Sequence, residues 1–165
     1  MSENREIRFI DQHYNELFTI PDGGSIVVTH PDGNQYIGVC KYLDATHFDM
    51  NGSCYHQMQF TEMLERRGAK VEPEKEPEIV SGYRVIRRIP VNNKIFVMAH
   101  NPKAVQPFVT WQGHKDYPGY GWGHYWPDRS IAGTDLRHRA NAERTGKSYD
   151  HTELIPKERD KDYER

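Results

Sequence analysis

Hydrophobic and polar residues alternate along much of the chain, and a period of two is typical of β-strands that bury one face. In the first half this pattern predicts strands at Ile7–Ile10, Leu17–Ile20, Ser25–His30, Tyr36–Leu43, Thr46–Met50 and Ser53–Tyr55. The turn sequences Pro31-Asp32-Gly33-Asn34 and Asn51-Gly52 separate two pairs of these strands and predict hairpins. Phe60, Met63 and Leu64 then share one helical face, which predicts a helix from about Gln57 to Arg67.

The second half repeats this order of elements. Strands are predicted at Tyr83–Val91, Lys94–Ala99, Phe108–Gln112 and Tyr120–Trp126. Asn92-Asn93 tolerates the left-handed backbone of a tight hairpin between the first two. Apolar residues then recur every four positions from Ala132, after Asp128, a typical N-cap. This pattern predicts a second helix that begins after Pro127 and ends near Gly146.

The segment Val71–Glu78 separates the two halves and contains two prolines and five charged residues. Such a composition is typical of a linker. The sequence therefore predicts an α+β fold of two small units, residues 1–72 and 79–145, joined by a linker at 73–78. Each unit is expected to be an antiparallel meander followed by one helix, and to fold alone. Residues 146–165 are charged and aperiodic, and are predicted to be a disordered tail.

Charge divides the chain in the same way, although the net charge of the 165 residues is only −2. Residues 1–70 contain six Lys and Arg against ten Asp and Glu, whereas residues 79–145 contain ten against four. No apolar run approaches the roughly 20 residues of a membrane span, and the N-terminus lacks the apolar stretch of a secretory signal. With only two cysteines, a cytoplasmic protein without a disulfide scaffold is expected.

The stretch Tyr120–Trp126 reads YGWGHYW and is the most aromatic part of the chain. In a regular strand Tyr120, Trp122, His124 and Trp126 would face one side. We expect Trp122 and Trp126 to be buried under the second helix. Two alternatives remain open at this stage: a stacking platform for a ligand, or a catalytic or metal site centred on His124.

Metal, cofactor and catalytic sites find little support in the residue spacing. The chain contains nine histidines but no CxxC, HxH or HExxH motif, so no metal is assigned. Gly146-Lys147-Ser148 resembles the end of a phosphate-binding loop, but it follows a helix, so nucleotide binding is rejected. Cys40 lies in an apolar strand and is expected to be a buried, unreactive thiol. No cofactor and no catalytic residue are assigned.

Basic and aromatic residues occur together in the second half. The arginines are Arg84, Arg87, Arg88, Arg137 and Arg139, and the aromatic candidates are Trp111, Tyr117 and Tyr120. Positive charge beside stacking rings is how proteins hold single-stranded nucleic acid. Weak binding of single strands is therefore one alternative function.

Two longer stretches resemble a domain family, without an assigned activity, of conjugative and other mobile elements of gut Firmicutes, where it also occurs within large polyvalent proteins. The resemblance covers most of residues 7–140. It is based on Asp22-Gly23-Gly24, Cys40-Lys41-Tyr42, Tyr55-His56, Thr110-Trp111-Gln112 and Gly123-His124-Tyr125. It implies an accessory role in a mobile element and no catalytic residue.

The sequence favours a non-enzymatic accessory module that binds a macromolecular partner, expected to be a protein. The alternatives are a small His-dependent hydrolase or nuclease-like enzyme, with His124 acting with Asp116 or Asp128, and the weak nucleic-acid binder. No membrane partner is expected. The candidate surface consists of Trp111, Tyr120, His124, Tyr125, Arg137 and Arg139.

Overall fold

A computed structural model describes residues 5–155 of the chain. The strands within this range are β1 (Glu6–Ile10), β2 (Glu16–Pro21), β3 (Ser25–Thr29), β4 (Gln35–Tyr42), β5 (His47–Met50), β6 (Ser53–His56), β7 (Lys70–Pro73), β8 (Ile79–Val80), β9 (Tyr83–Val91), β10 (Lys94–His100), β11 (Phe108–His114) and β12 (Tyr117–Trp126). The helices are α1 (Gln57–Arg66), α2 (Arg129–Thr145) and a short 3-10 helix (His151–Leu154). The described fold is therefore mostly antiparallel sheet with two α-helices.

One antiparallel sheet runs through both halves of the chain. Its strand order is β12-β11-β10-β9-β4-β3-β7, and β5, β6 and β8 are attached at its sides. β1 and β2 form a separate two-stranded sheet. The halves meet where β4 pairs with β9, at Gln35 opposite Arg88 and Tyr36 opposite Arg87. A ladder of two residue pairs is short, so side chains contribute to the junction as well.

Three clusters of buried apolar residues form the core. The first lies under α1 and includes the contacting rings of Phe9, Phe48 and Phe60. The second packs Trp126 and strands β9 to β11 against Leu136 of α2. The third includes Trp111 and covers the opposite face of the same strands. Both faces of the β9–β12 region are therefore at least partly covered.

The predicted strands and both helices are confirmed, with ends within a few residues of those expected. Asp128 caps α2 by accepting a hydrogen bond from the backbone of Ile131 at 2.8 Å. Gly146 ends α2 in the left-handed conformation that a glycine adopts without strain. Strands β7 and β8 are additional, because they lie in or beside a segment whose prolines and charges predict no strand.

The segment 71–78 is less free than its composition indicates. Val71 and Pro73 belong to β7, which pairs with β3. The side chain of Glu74 is only 5% exposed and forms an ion pair with Arg84. Glu78 forms a second ion pair with Arg88 at 2.9 Å. The segment predicted as a linker is therefore held to the second half, because arginines there bind its carboxylates.

The predicted start of the disordered tail, at residue 146, is too early. Residues 146–155 are placed against α2 and include the 3-10 helix. The hydroxyl of Tyr149 donates a 2.6 Å hydrogen bond to Asp135, and the ring of His151 stacks on His124. Residues 156–165, the rest of the predicted tail, lie outside the described residues.

Candidate functional site

The six residues of the candidate surface do not share one surface. Three of them, Trp111, Tyr120 and Tyr125, lie on the sheet face away from α2. His124 and Arg139 lie on the α2 side, where both line the same cavity. Arg137 lies on the exposed face of α2. Trp111 is 6% exposed and Arg139 is also 6% exposed, so both are largely buried and do not form part of an exposed surface as expected.

A β-bulge in β12 explains why regular alternation misplaces the aromatic residues. Thr110 pairs with His124, but Gln112 pairs with Gly121, so an extra residue of β12 lies opposite Trp111. Such a bulge interrupts the alternation of faces. Tyr120 consequently stacks on Trp111, with ring centroids 5.9 Å apart, on the face opposite to His124.

Trp122 lies within this bulge and is the largest departure from the predicted core. Its side chain is 79% exposed, and its backbone φ of 55° lies in the left-handed region. A bulky residue rarely adopts that conformation, because its Cβ approaches the backbone. The prediction that Trp122 is buried under α2 is wrong. The prediction for Trp126, which is 2% exposed and packs against α2, is confirmed.

Asp135 of α2 is the centre of a polar network on the α2 side of the sheet. Its side chain is fully buried. It accepts hydrogen bonds at 2.8 Å from Nδ1 of His124 and at 3.0 Å from Nε1 of Trp126. Two hydroxyl groups, those of Thr110 and Tyr149, donate to it as well. This carboxylate therefore joins α2, β11, β12 and the segment after α2.

The charge state of this network follows from its hydrogen bonds. Burial alone would raise the pKa of Asp135, but hydrogen bonds from His124, Thr110 and Tyr149 lower it to about 2. An ionised carboxylate only accepts hydrogen bonds, so Nδ1 of His124 carries the hydrogen. Burial lowers the pKa of His151, whose ring stacks on His124 with centroids 3.6 Å apart.

The acidic partner of His124 differs from the two expected. Asp128 accepts from the backbone at the start of α2, and Asp116 lies 3.9 Å from His114. Asp135 takes the position beside His124 instead. Helical spacing places Asp135 on the buried face of α2 with Leu136 and Arg139. An acidic residue on the buried face of a helix is the signal that could have identified it.

The arginines of the basic half separate into paired and unpaired groups. Arg84 and Arg88 form ion pairs with Glu74 and Glu78. Arg139 is buried and donates to the backbone oxygen of Thr110 at 3.0 Å. Four others form no ion pair with any carboxylate of residues 5–155. One of them, Arg144, donates to Asn141 on the outer face of α2. The remaining three, called the arginine cluster below, are Arg87, Arg129 and Arg137.

Two elements bring the arginine cluster together. A bulge in β9 leaves Ile86 unpaired, so Val85 and Arg87 face opposite sides and Arg87 points toward α2. A Cβ built on Gly133 of α2 would lie 3.5 Å from Nη1 of Arg137 and 3.8 Å from Nη1 of Arg87. Arg129 is the first residue of the same helix. Sequence reasoning missed Arg129, although its place at a helix start was visible.

The electrostatics of the arginine cluster are unfavourable in the free protein. Burial lowers the pKa of Arg87, and the charges of Arg137 and Arg129 lower it further. Arg129 also lies at the N-terminus of α2, where the helix dipole is positive, and the first turn of α2 contains no acidic residue. Asp128, the cap, is the acidic residue beside it. An anion bound among these guanidinium groups would relieve their repulsion.

A cleft of about 420 Å³ adjoins the arginine cluster at the junction of β4 and β9. It is lined by His30, Pro31, Asp32, Asn34, Gln35, Tyr36 and Arg87. The rings of His30 and Tyr36 lie 6.0 Å apart, and the charge of Arg67 acts on Tyr36. The cleft therefore combines aromatic rings with positive charge, and Asp32 is its acidic member.

Metal and thiol chemistry have no comparable site in the described part of the chain. Within residues 5–155, no group of three or more His, Cys, Asp or Glu residues could hold a metal ion. Cys40 is fully buried, and burial raises its pKa to about 12, as expected for an unreactive thiol. Cys54 is exposed, and both cysteines are free.

Comparison with family models, with curated proteins and with solved structures gives no match. Among residues 5–155, no helix is long and apolar enough to cross a membrane.

Proposed function

We propose that the protein is a non-catalytic accessory module that binds single-stranded nucleic acid through the arginine cluster and the adjoining cleft. The observation that carries this proposal is the gathering of Arg87, Arg129 and Arg137 without a carboxylate ion pair in residues 5–155. Guanidinium groups bind phosphate oxygens with paired N–H donors, and phosphates repeat along a nucleic-acid backbone.

The internal pairing of the other arginines supports this choice of residues. Arg84 and Arg88 are neutralised by Glu74 and Glu78, and Arg139 is buried in the network of Asp135. Arg84, Arg88 and Arg139 are thus used within the fold. Among the charges that remain, Arg87, Arg129 and Arg137 are the ones that converge, whereas Lys103, Lys115 and Arg144 are exposed singly.

The rings beside the cluster favour a single strand over a duplex. Tyr36 is partly exposed, and together with His30 it lines the cleft that also contains Arg87. Unpaired bases stack on such rings, whereas the bases of a duplex are already stacked on one another. The short cleft fits a few nucleotides better than a long duplex.

The domain organisation, the cellular compartment and the biological role are proposed as well. We retain the two units, 1–72 and 79–145, with the binding cleft where they meet. The cytoplasm is the proposed compartment. An accessory role in a mobile element rests on the sequence resemblance alone.

Fluorescence anisotropy with a labelled single strand of about 12 nucleotides tests the proposal, since known sites cover roughly 4–16 nucleotides. The test variant replaces Arg87, Arg129 and Arg137 by Gln. The matched control replaces Lys41, Lys115 and Arg144 by Gln, because these three are exposed and their removal changes the net charge equally. Titrations are made at about 50 mM salt, where phosphate contacts bind most strongly.

We expect the parent and the control variant to bind the single strand, and the cluster variant to lose at least about tenfold in affinity. A labelled duplex of the same length should bind more weakly. If both variants lost affinity for the single strand equally, binding would depend on net charge alone, and the proposed site would be contradicted. Tighter binding of a polyglutamate peptide than of the oligonucleotide would identify an acidic protein as the partner instead.

A hydrolase centred on His124 is the second candidate, because one observation favours it. With Nδ1–H donated to Asp135, the neutral ring of His124 keeps Nε2 as a proton acceptor, the arrangement of a general base. Asp135 also binds Trp126, Thr110 and Tyr149, however, which is the arrangement of a structural centre. The structural role therefore has more support.

Chromogenic substrates separate the two roles of His124. We expect no turnover of p-nitrophenyl acetate or bis(p-nitrophenyl) phosphate above that of the variant His124→Asn. The variant His13→Asn, which changes an exposed histidine, is the control. Turnover that is lost in His124→Asn and kept in His13→Asn would show that the protein is an enzyme.

A further inference from the structure

A second cavity, separate from the arginine cluster, lies beside the C-terminal half of α2. Its volume is about 620 Å³. Its lining includes Phe96, Arg139, Ala142, Glu143, Lys147 and Tyr149. Its lining therefore combines two cations, a carboxylate, neutral hydrogen-bonding groups and two aromatic rings. It is large enough for a small organic ligand.

Arg139 gives this cavity a buried group with free hydrogen-bonding capacity. The residue is only 6% exposed. Its Nη1 donates to the backbone oxygen of Thr110 at 3.0 Å and to the hydroxyl of Thr110 at 3.1 Å. Neither Nε nor Nη2 forms a hydrogen bond to a residue of the described range. These two nitrogens form one edge of the guanidinium group, with two parallel N–H donors.

The shape of this edge selects the ligand chemistry. Two parallel N–H donors match the two oxygens of a carboxylate in a bidentate pair. Arg84 Nε is the one fully buried side-chain nitrogen without a partner in residues 5–155, so the unpaired Nε and Nη2 of Arg139 are open to solvent and accessible to a ligand. The ring of Phe96 lies 6.0 Å from the guanidinium carbon and offers an apolar wall to the rest of a ligand.

The charges around the cavity favour a single negative charge. Asp135 offsets the charge of Arg139, and Glu143 forms an ion pair with Lys94 at 3.0 Å. Lys147, whose ammonium has no carboxylate partner within residues 5–155, remains as the uncompensated cation. The C-terminal end of α2, where the helix dipole is negative, is also at this cavity and disfavours a dianion. A monoanion is therefore the best match.

We infer that this cavity binds the carboxylate of a small molecule or of a peptide C-terminus, held side-on by Nε and Nη2 of Arg139. The inference is independent of the nucleic-acid proposal, because it concerns other residues and another ligand. The ligand's carboxylate lies in the plane of the guanidinium group, Lys147 supplies long-range attraction, and Phe96 contacts the apolar part.

Nuclear magnetic resonance of the ¹⁵N-labelled full chain tests this inference through the Nε–H signal of Arg139. The probes are benzoate and benzamide, which share the ring and differ in the carboxylate, together with inorganic phosphate. A blocked peptide with a free C-terminal carboxylate, and the same peptide amidated, distinguish the two sources of the carboxylate. Ala142→Trp fills the cavity without changing any side chain of the Asp135 network, and Arg144→Gln is the control outside it.

Benzoate is expected to shift the Arg139 signal saturably with Kd of about 1 mM, as is usual for a ligand of this size, and benzamide is not. Ala142→Trp should abolish the shift, and Lys147→Gln should weaken binding several-fold. Arg144→Gln should bind as the parent does. Equal shifts from benzoate and benzamide, a shift that survives Ala142→Trp, preference for phosphate, or no saturable shift in the folded parent would each overturn the inference.

Discussion

Arg87 of β9 and Arg137 of α2 approach the same point of the helix from different elements. A Cβ built on Gly133 would be 3.8 Å from Nη1 of the first and 3.5 Å from Nη1 of the second. The two nitrogens therefore lie less than 8 Å apart, which is within the screening length of about 8 Å in physiological salt. The fold therefore maintains a repulsion that a bound anion would remove.

This repulsion predicts that Arg137→Gln stabilises the free protein. The free energy of unfolding should rise by a few tenths of a kcal/mol, roughly the size of other like-charge pairs at helix surfaces. Urea denaturation at low salt measures the change, and about 1 M salt should remove it by screening. Arg144→Gln on the same helix is the control. Destabilisation by Arg137→Gln at low salt would show that the cluster is not repulsive.

The bulge in β12 predicts opposite effects at two tryptophans. Trp122→Gly should raise the free energy of unfolding by about 1 kcal/mol, because glycine adopts positive φ without strain and the lost ring is exposed. Trp126→Ala should lower it by about 3–5 kcal/mol, because a buried ring is removed from the core. Chemical denaturation compares both with the parent. A large loss for Trp122→Gly would mean that this ring is packed.

Protonation of Asp135 is expected to lower the stability of the folded protein in acid. Its folded pKa of about 2 lies below its ordinary value of 3.8, so its contribution is complete above pH 3.8 and is lost as the pH falls toward 2. The difference corresponds to at most about 2 kcal/mol. Asp11, Asp44 and Asp150 also have lowered pKa values, but they are fully exposed and contribute less.

Tyr149→Phe tests the origin of this acid sensitivity. Loss of one hydrogen bond to Asp135 should cost about 1.5–3 kcal/mol at neutral pH. It should also raise the pKa of Asp135 toward its ordinary value, so that the decline in acid becomes smaller and ends at a higher pH. Urea midpoints measured between about pH 5 and pH 2 report both effects. If the urea midpoint of the variant depended on pH as the parent's does, Asp135 would not be the main group whose protonation destabilises the protein.

The local elements could be predicted from the sequence because their signals are local. The turn at Asn51-Gly52 and the cap at Asp128 depend on neighbours within a few residues, and both are confirmed. The bulges at Ile86 and Trp122 depend on the partner strand, which lies elsewhere in the chain. One extra residue reverses every later face assignment, so Tyr120 and Trp122 were misplaced.

The candidate site was less predictable for the same reason. Arg84 and Arg88 appear free in the sequence, but Glu74 and Glu78, ten residues before each, reach them across the fold. Arg139 reads as part of a basic helix face, yet it is turned into the core. Only Arg137 of the predicted surface belongs to the arginine cluster. The sequence identified the basic half, and tertiary pairing decides which charges remain available.

The salt dependence of single-strand binding tests the central proposal most directly. Three phosphate contacts predict a slope of about −2 when the logarithm of the association constant is plotted against that of the salt concentration. The triple replacement of Arg87, Arg129 and Arg137 by Gln should reduce the slope nearly to zero. The control replacement of Lys41, Lys115 and Arg144 should leave it near −2. A cluster variant that keeps the parent's slope and affinity would contradict the proposed function.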